Sequence, residues 1–127
     1  MRLLLDTQAF LWYYEGNPKL TAKAKAHIED PKMEVFLSAA SVWEIVIKSG
    51  LGKLRLNEPA EEIFNTFFSK TLHPLPIDWR HAVAVKQLPD HHKDPFDRIL
   101  AAQSKVEKMP VISSDAIFKA YQVPVLW

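Results

Sequence analysis

A chain of 127 residues, 48% apolar and with 16 basic against 15 acidic side chains, has the size and balance of one globular core, so a single domain over residues 1–127 is expected. It contains no cysteine. Thiolate nucleophiles, disulfides and cysteine-ligated zinc are thereby excluded, and any metal must be held by oxygen or imidazole.

The first residues, MRLLLDTQAFLWYYEG, combine one basic side chain with a short apolar run, but Asp6 interrupts the run and no small-residue cleavage site follows. A signal peptide is not expected. No stretch of about 18 apolar residues runs uninterrupted, so neither is a membrane span, and a soluble cytoplasmic protein is the expectation. A net charge of +1 neither demands nor excludes a nucleic-acid partner.

In chain order, Leu3–Leu5 is a short apolar strand cut off by Asp6, and a helix follows through Tyr14, ended by Gly16 and Pro18. Residues 20–28 predict a second helix and residues 34–37 a second strand. AASVWEIVIKS, residues 39–49, is apolar on nearly every side, so it predicts a largely buried helix with Trp43 in the core, stopping at Gly50 and Gly52. Pro59 suits the first turn of a helix that runs to about Lys70. Two prolines make residues 73–77 an edge strand, residues 79–88 form a helix, and Asp94 caps a helix from Pro95 to about Lys108. A strand at 111–113, a short helix opened by Asp115 and a strand at 123–126 complete the reading. Alternating strands and helices predict an α/β fold with a mostly parallel central sheet of four to five short strands flanked by helices.

Ligands in open α/β folds bind beyond the carboxyl ends of the strands, which draws attention to acids that follow strands. Asp6 and Asp115 do so, and Glu44 and Asp97 lie early in helices that follow strands or loops. Each has a plainer reading. Asp6 and Asp115 suit helix caps, Asp97 is the third-position partner of Asp94, and Ser41 with Glu44 has capping-box spacing. Four such placements together favour one shared pocket over four separate caps. Ser41, Glu44 and Lys48 share a face of an otherwise apolar helix, and a carboxylate there needs a cation beside it. Ala101 and Ser104 lie on the Asp97 face and leave room for a ligand, with Ile99, Ala102 and Val106 facing the core. Gathered carboxylates repel one another, and oxygen-liganded Mg²⁺ or Mn²⁺ is the ordinary remedy, which points to phosphodiester hydrolysis.

The segments LLLDTQAFLW, SAASVWEI with LGKLRL, DPFDRILAAQS, and VISSD closing with YQVPVLW resemble, in order over nearly the whole chain, the PIN-domain toxins called VapC. The resemblance implies a PIN fold, Mg²⁺ or Mn²⁺ dependence, endonucleolytic cleavage of RNA, a homodimer, and a VapB-type antitoxin as partner in a type II toxin-antitoxin pair. Carried over position by position, it makes Asp6, Glu44, Asp97 and Asp115 the catalytic acids, with Asp6, Asp97 and Asp115 as metal ligands. Thr7 and Ser113 match the small polar neighbours of that pocket. Asp94 reads equally as a helix cap and as an accessory acid.

The adjacent His91 and His92 would point roughly 100° apart on a helix, so they do not make a helical zinc pair, and loop or surface positions suit them better. Lys19, Lys23, Lys25, Lys48, Lys53, Arg55 and Arg98 are candidates for a basic rim around the acids, although Lys23 and Lys25 also read as a solvated helix face. Phe10–Tyr14 carries more aromatic surface than one helix normally buries, so part of it is a candidate interface. Trp127 suits packing on the sheet edge or on a partner. The main rival, a receiver-like Mg²⁺-binding signalling domain, wants adjacent acids after its first strand, and Asp6 stands alone. A haloacid-dehalogenase-like phosphatase wants an aspartate where Gln8 stands. A PIN fold that binds RNA or protein without cutting is the third reading, and intact acids argue against it.

Overall fold

The computed structural model describes residues 1–90 and 94–127; the reading of His91 and His92 lies outside them. The strands are β1 (Arg2–Leu5), β2 (Glu34–Ser38), β3 (His73–Leu75), β4 (Val111–Ile112) and β5 (Val125–Leu126). They form one sheet in the order β3-β2-β1-β4-β5, and every pairing among the described residues is parallel. Helices α1 (Thr7–Glu15) and α2 (Ala22–Glu29) join β1 to β2, and α3 (Ala39–Gly50) and α4 (Ala60–Lys70) join β2 to β3. Helices α5 (Trp79–Ala84) and α6 (Pro95–Glu107) lead to β4, and α7 (Ile117–Ala120) leads to β5. The receiver reading is corrected here, because that fold orders its strands 2-1-3-4-5.

β1 is the central strand, and period-two alternation divides its side chains between two cores. Leu3 and Leu5 pack with Phe10, Ile45 and Phe64, while Leu4 packs with Leu100, Val111, Phe118 and Tyr121. All three leucines are fully buried, as a parallel strand with helices on both sides requires. The chain steps outward from β1 through β2 to β3, then returns to the other flank of β1 as β4. That reversal opens a crevice at the carboxyl ends of β1 and β4, the position where such sheets bind ligands.

Several expectations shift. The helix over 79–88 breaks after Ala84 into a 3₁₀ turn at Val85–Gln87, ahead of Pro89. The last two strands shorten to two residues each. Trp43 is not in the core: it is 61% exposed, as are parts of Val46, while Ala40, Ser41, Glu44 and Ile45 are the buried residues of α3. The uniformly apolar sequence concealed which face turns inward, and the inward face carries the polar residues. In α6 the buried residues are Leu100–Ser104, with Ile99 and Val106 half-buried, so the Asp97 face runs into the core and only its first turn reaches the crevice. The N-cap of α3 is Ser38, whose hydroxyl accepts from Ala40 N, so Ser41 and Glu44 form no capping box.

Candidate active site

Asp6 leaves β1 in extended conformation and caps α1, its Oδ1 accepting from Ala9 N at 2.7 Å. Its Oδ2 accepts from the Ser113 hydroxyl, which in turn accepts from Asp115 N at 2.9 Å. Ser113 thus ties the ends of β1 and β4 together from beneath the crevice. Asp6 is only 6% exposed. Burial pushes its pKa up to about 6, against the hydrogen bonds from Ser113 and Ala9, and the charges of Asp115 and Glu44 push the same way. Capping and site membership, alternatives in the sequence, coexist in this one side chain.

Glu44 is also buried, and its Oε2 meets Lys48 Nζ at 2.5 Å one helical turn on, the cation that its setting calls for. That hydrogen bond raises the Lys48 pKa; desolvation opposes it, and the charges of Glu44, Asp94 and Asp97 add to it. Thr7 Oγ1 donates to Ser41 Oγ at 2.9 Å and fixes α1 against α3. Asp94 caps α6 by accepting from Phe96 N at 2.8 Å and Asp97 N at 3.4 Å. Asp97 sits in the first turn behind Pro95, and exposed Asp115 accepts from Ile117 N at 3.0 Å.

These side chains meet. Asp6, Glu44, Asp94, Asp97 and Asp115 all line one cleft of about 460 Å³, together with Thr7, Gln8, Ser114, Lys48 and Lys53. Among the described residues, five carboxylates line it with two ammonium groups. Of the expected basic rim, Lys48 and Lys53 are in place. Arg98 is not: its guanidinium donates to Pro89 O at 3.0 Å and Val85 O at 3.1 Å and lies over the Tyr121 ring, pinning the turn that follows α5. Lys19 lies over the Trp12 ring, Lys23 and Lys25 line other depressions, and Arg55 is exposed. Sequence reading gave Gln8 and Ser114 no place at the cleft, since neither residue type signals one.

A second group went unnoticed in the sequence. One ligand atom each of Asp78, His81 and Glu107 lies within 4.8 Å of the others. It stands at the far end of the sheet, where Arg2 opens β1 and Glu107 closes α6. His81 Nδ1 accepts from Asp78 N at 3.0 Å, which leaves Nε2 to donate to Glu107 Oε2 at 2.8 Å, and Arg80 pairs with both carboxylates. The Asp78-to-His81 spacing is a capping box with histidine in the third position, but Glu107, 26 residues further on, gives no local signal.

The PIN domain family model matches residues 3–124, and the chain belongs to that family. Its fold is shared with a chain of the VapBC2 complex of Rickettsia felis bound to a promoter DNA fragment, at 13% identity and a TM-score of 0.75, covering 99% of this chain and 98% of that one. VapBC of Salmonella typhimurium, also DNA-bound, matches at 15% identity and a TM-score of 0.75 over 99% and 97% of the two chains. FitAcB of Neisseria gonorrhoeae matches at 22% identity and a TM-score of 0.69 over 100% and 97%. No protein of curated function matches the sequence. Among the described residues, no helix is long and apolar enough to cross a membrane.

Proposed function

We propose that this chain is a divalent-metal-dependent endoribonuclease and the toxin of a VapBC-like toxin-antitoxin pair. The observation that carries the reading is the convergence of five carboxylates, from sequence positions 6 to 115, on one cleft at the reversal point of a PIN sheet. The donor set fits Mg²⁺ or Mn²⁺: it is all oxygen, and burial, with the charges of Asp115 and Glu44 adding to it, pushes the pKa of Asp6 up to about 6. Asp6, Asp97 and Asp115 would hold the ion. When bound, it supplies a lowered pKa for water and offsets the charge of a phosphodiester.

The chain's own groups do the rest. Ser113 keeps the carboxylates of Asp6 and the backbone of Asp115 in register, and Thr7 with Ser41 holds the helix that carries Glu44. Glu44, with Oε2 engaged by Lys48, orients the attacking water through its carboxylate. Lys48 and Lys53 draw the RNA backbone toward an otherwise repellent cleft. Asp94 positions the first turn of α6 and so places Asp97.

A solved neighbour from Klebsiella pneumoniae is a toxin-antitoxin complex, which supports an antitoxin partner here. The apolar groove lined by Trp43, Ile77, Phe96 and Ile99 is an exposed surface that a homodimer could cover. The aromatic run Phe10–Tyr14 is less suited, because its rings are largely taken up by Phe64 and Phe67 of α4. RNA cleavage with added Mn²⁺, wild type against Glu44→Gln, tests the activity. A fall of roughly a hundredfold or more is expected on losing a group that orients the nucleophile, with the melting temperature held or raised. Equal cleavage by both proteins would overturn the role of Glu44, and no cleavage by the wild type would overturn the activity.

A further inference from the structure

Next to the acidic cleft lies a second depression of about 350 Å³, and Ser114 and Asp115 line both, so the two adjoin. Its character is reversed. Lys23 from α2 and Lys119 from α7 line it with Ser113, Ser114 and the half-buried ring of Trp127. Both lysines are exposed, and among the described residues neither has a carboxylate within ion-pair distance. Trp127 leans on Trp12 with ring centroids 5.8 Å apart, and Lys19 lies over Trp12 at 6.0 Å, so cations and aromatic faces alternate away from the cleft.

An enzyme that cuts within an RNA chain must hold the strand on both sides of the reacting phosphate, and five carboxylates repel that strand. Lys48 and Lys53 serve one flank of the cleft. Proteins that bind single-stranded nucleic acid combine a basic track with aromatic platforms on which bases stack, and the second depression supplies both. A basic protein segment would be repelled by Lys23 and Lys119.

We propose that this depression is the subsite for the nucleotide adjoining the cut bond: Lys23 and Lys119 take its phosphate and Trp127 stacks on its base. The assignment rests on the ribonuclease reading above. It is tested with the full chain carrying Asp97→Asn, which prevents turnover, and a short, labelled, mixed-sequence single-stranded RNA followed by anisotropy across a salt series. Adding Lys23→Ala and Lys119→Ala should weaken binding about tenfold and flatten the dependence of log affinity on log salt by about 1.4, the contribution of two phosphate contacts on a single strand. Trp127→Ala should cost roughly tenfold, the scale of one lost stacking contact, and Trp127→Phe should restore most of it. The exposed lysines are replaceable without disturbing the fold, and Lys70→Ala is the control for lost charge alone. If the double variant matches Lys70→Ala in affinity and salt slope, the subsite is overturned while the ribonuclease reading stands. If the Asp97→Asn parent binds no RNA at any salt, that reading itself falls. Lost affinity for a glutamate-rich peptide with RNA binding unmoved would overturn the subsite in favour of a groove for an acidic protein segment.

Discussion

The two ends of the sheet use the same side-chain chemistry to opposite effect. At the amino end, Asp78 and Glu107 are matched by Arg2, Arg80 and His81, and the Arg80 hydrogen bond holds the Asp78 carboxyl down to about 2. At the carboxyl end, among the described residues, five acids line the cleft with two lysines, and burial holds Asp6 up at about 6. One cluster is closed by its own hydrogen bonds. The other gathers its acids around an open cleft, and that openness, rather than the number of acids, separates the two clusters.

The largest expected break in this comparison comes from disabling one member at each end. Asp97→Asn should lower Mn²⁺-dependent RNA cleavage by roughly a hundredfold or more while leaving the melting curve intact. His81→Ala should do the reverse. It strands the Asp78 amide and leaves Glu107 to Arg2 and Arg80, costing about 1–3 kcal/mol in chemical denaturation, with the cleavage rate per folded molecule unchanged. Equal effects of both substitutions on cleavage would erase the distinction between the two ends.

Next in size is a pH effect at Asp6. Its folded pKa lies above the unfolded value of 3.8, so the folded protein binds the proton more tightly than the unfolded chain does. Stability from this group is fully present below pH 3.8 and is lost as pH rises through about 6. In chelator, Asp6→Asn should therefore stabilise the protein by about 3 kcal/mol above pH 7, with the gain vanishing near pH 4. Mn²⁺ should narrow the gap by stabilising only the wild type. Denaturant melts at several pH values measure this, and a gain independent of pH would assign the effect to something other than ionisation. The smallest effect sharpens the other end: Arg80→Ala removes exposed, solvent-screened ion pairs, so the denaturation midpoint should barely move.

Legibility in the sequence followed the range of the interactions. Asp6 and Asp94 were readable because a carboxylate after a strand or before Pro95 is a local signal, and the cap bonds follow from it. Glu44 was readable because a charge in an apolar helix demands a partner, and Lys48 sits one turn away. Trp43 was misplaced because a helix apolar on all sides has no period to show its buried face, which tertiary packing decides. Arg98 was misplaced because its acceptors are backbone carbonyls, which any sequence offers. The Glu107 link to His81 spans 26 residues and leaves no spacing to read.

The Ser113 hydroxyl, which joins the ends of β1 and β4 across a separation of 107 residues, also sets a schedule. Asp6 can cap α1 as soon as that helix forms, but its bond to Ser113 and its companion acid at 115 come only with β4. Because chains form from the amino end and such long-range pairing is slow, the cleft is completed only once β4 has docked beside β1.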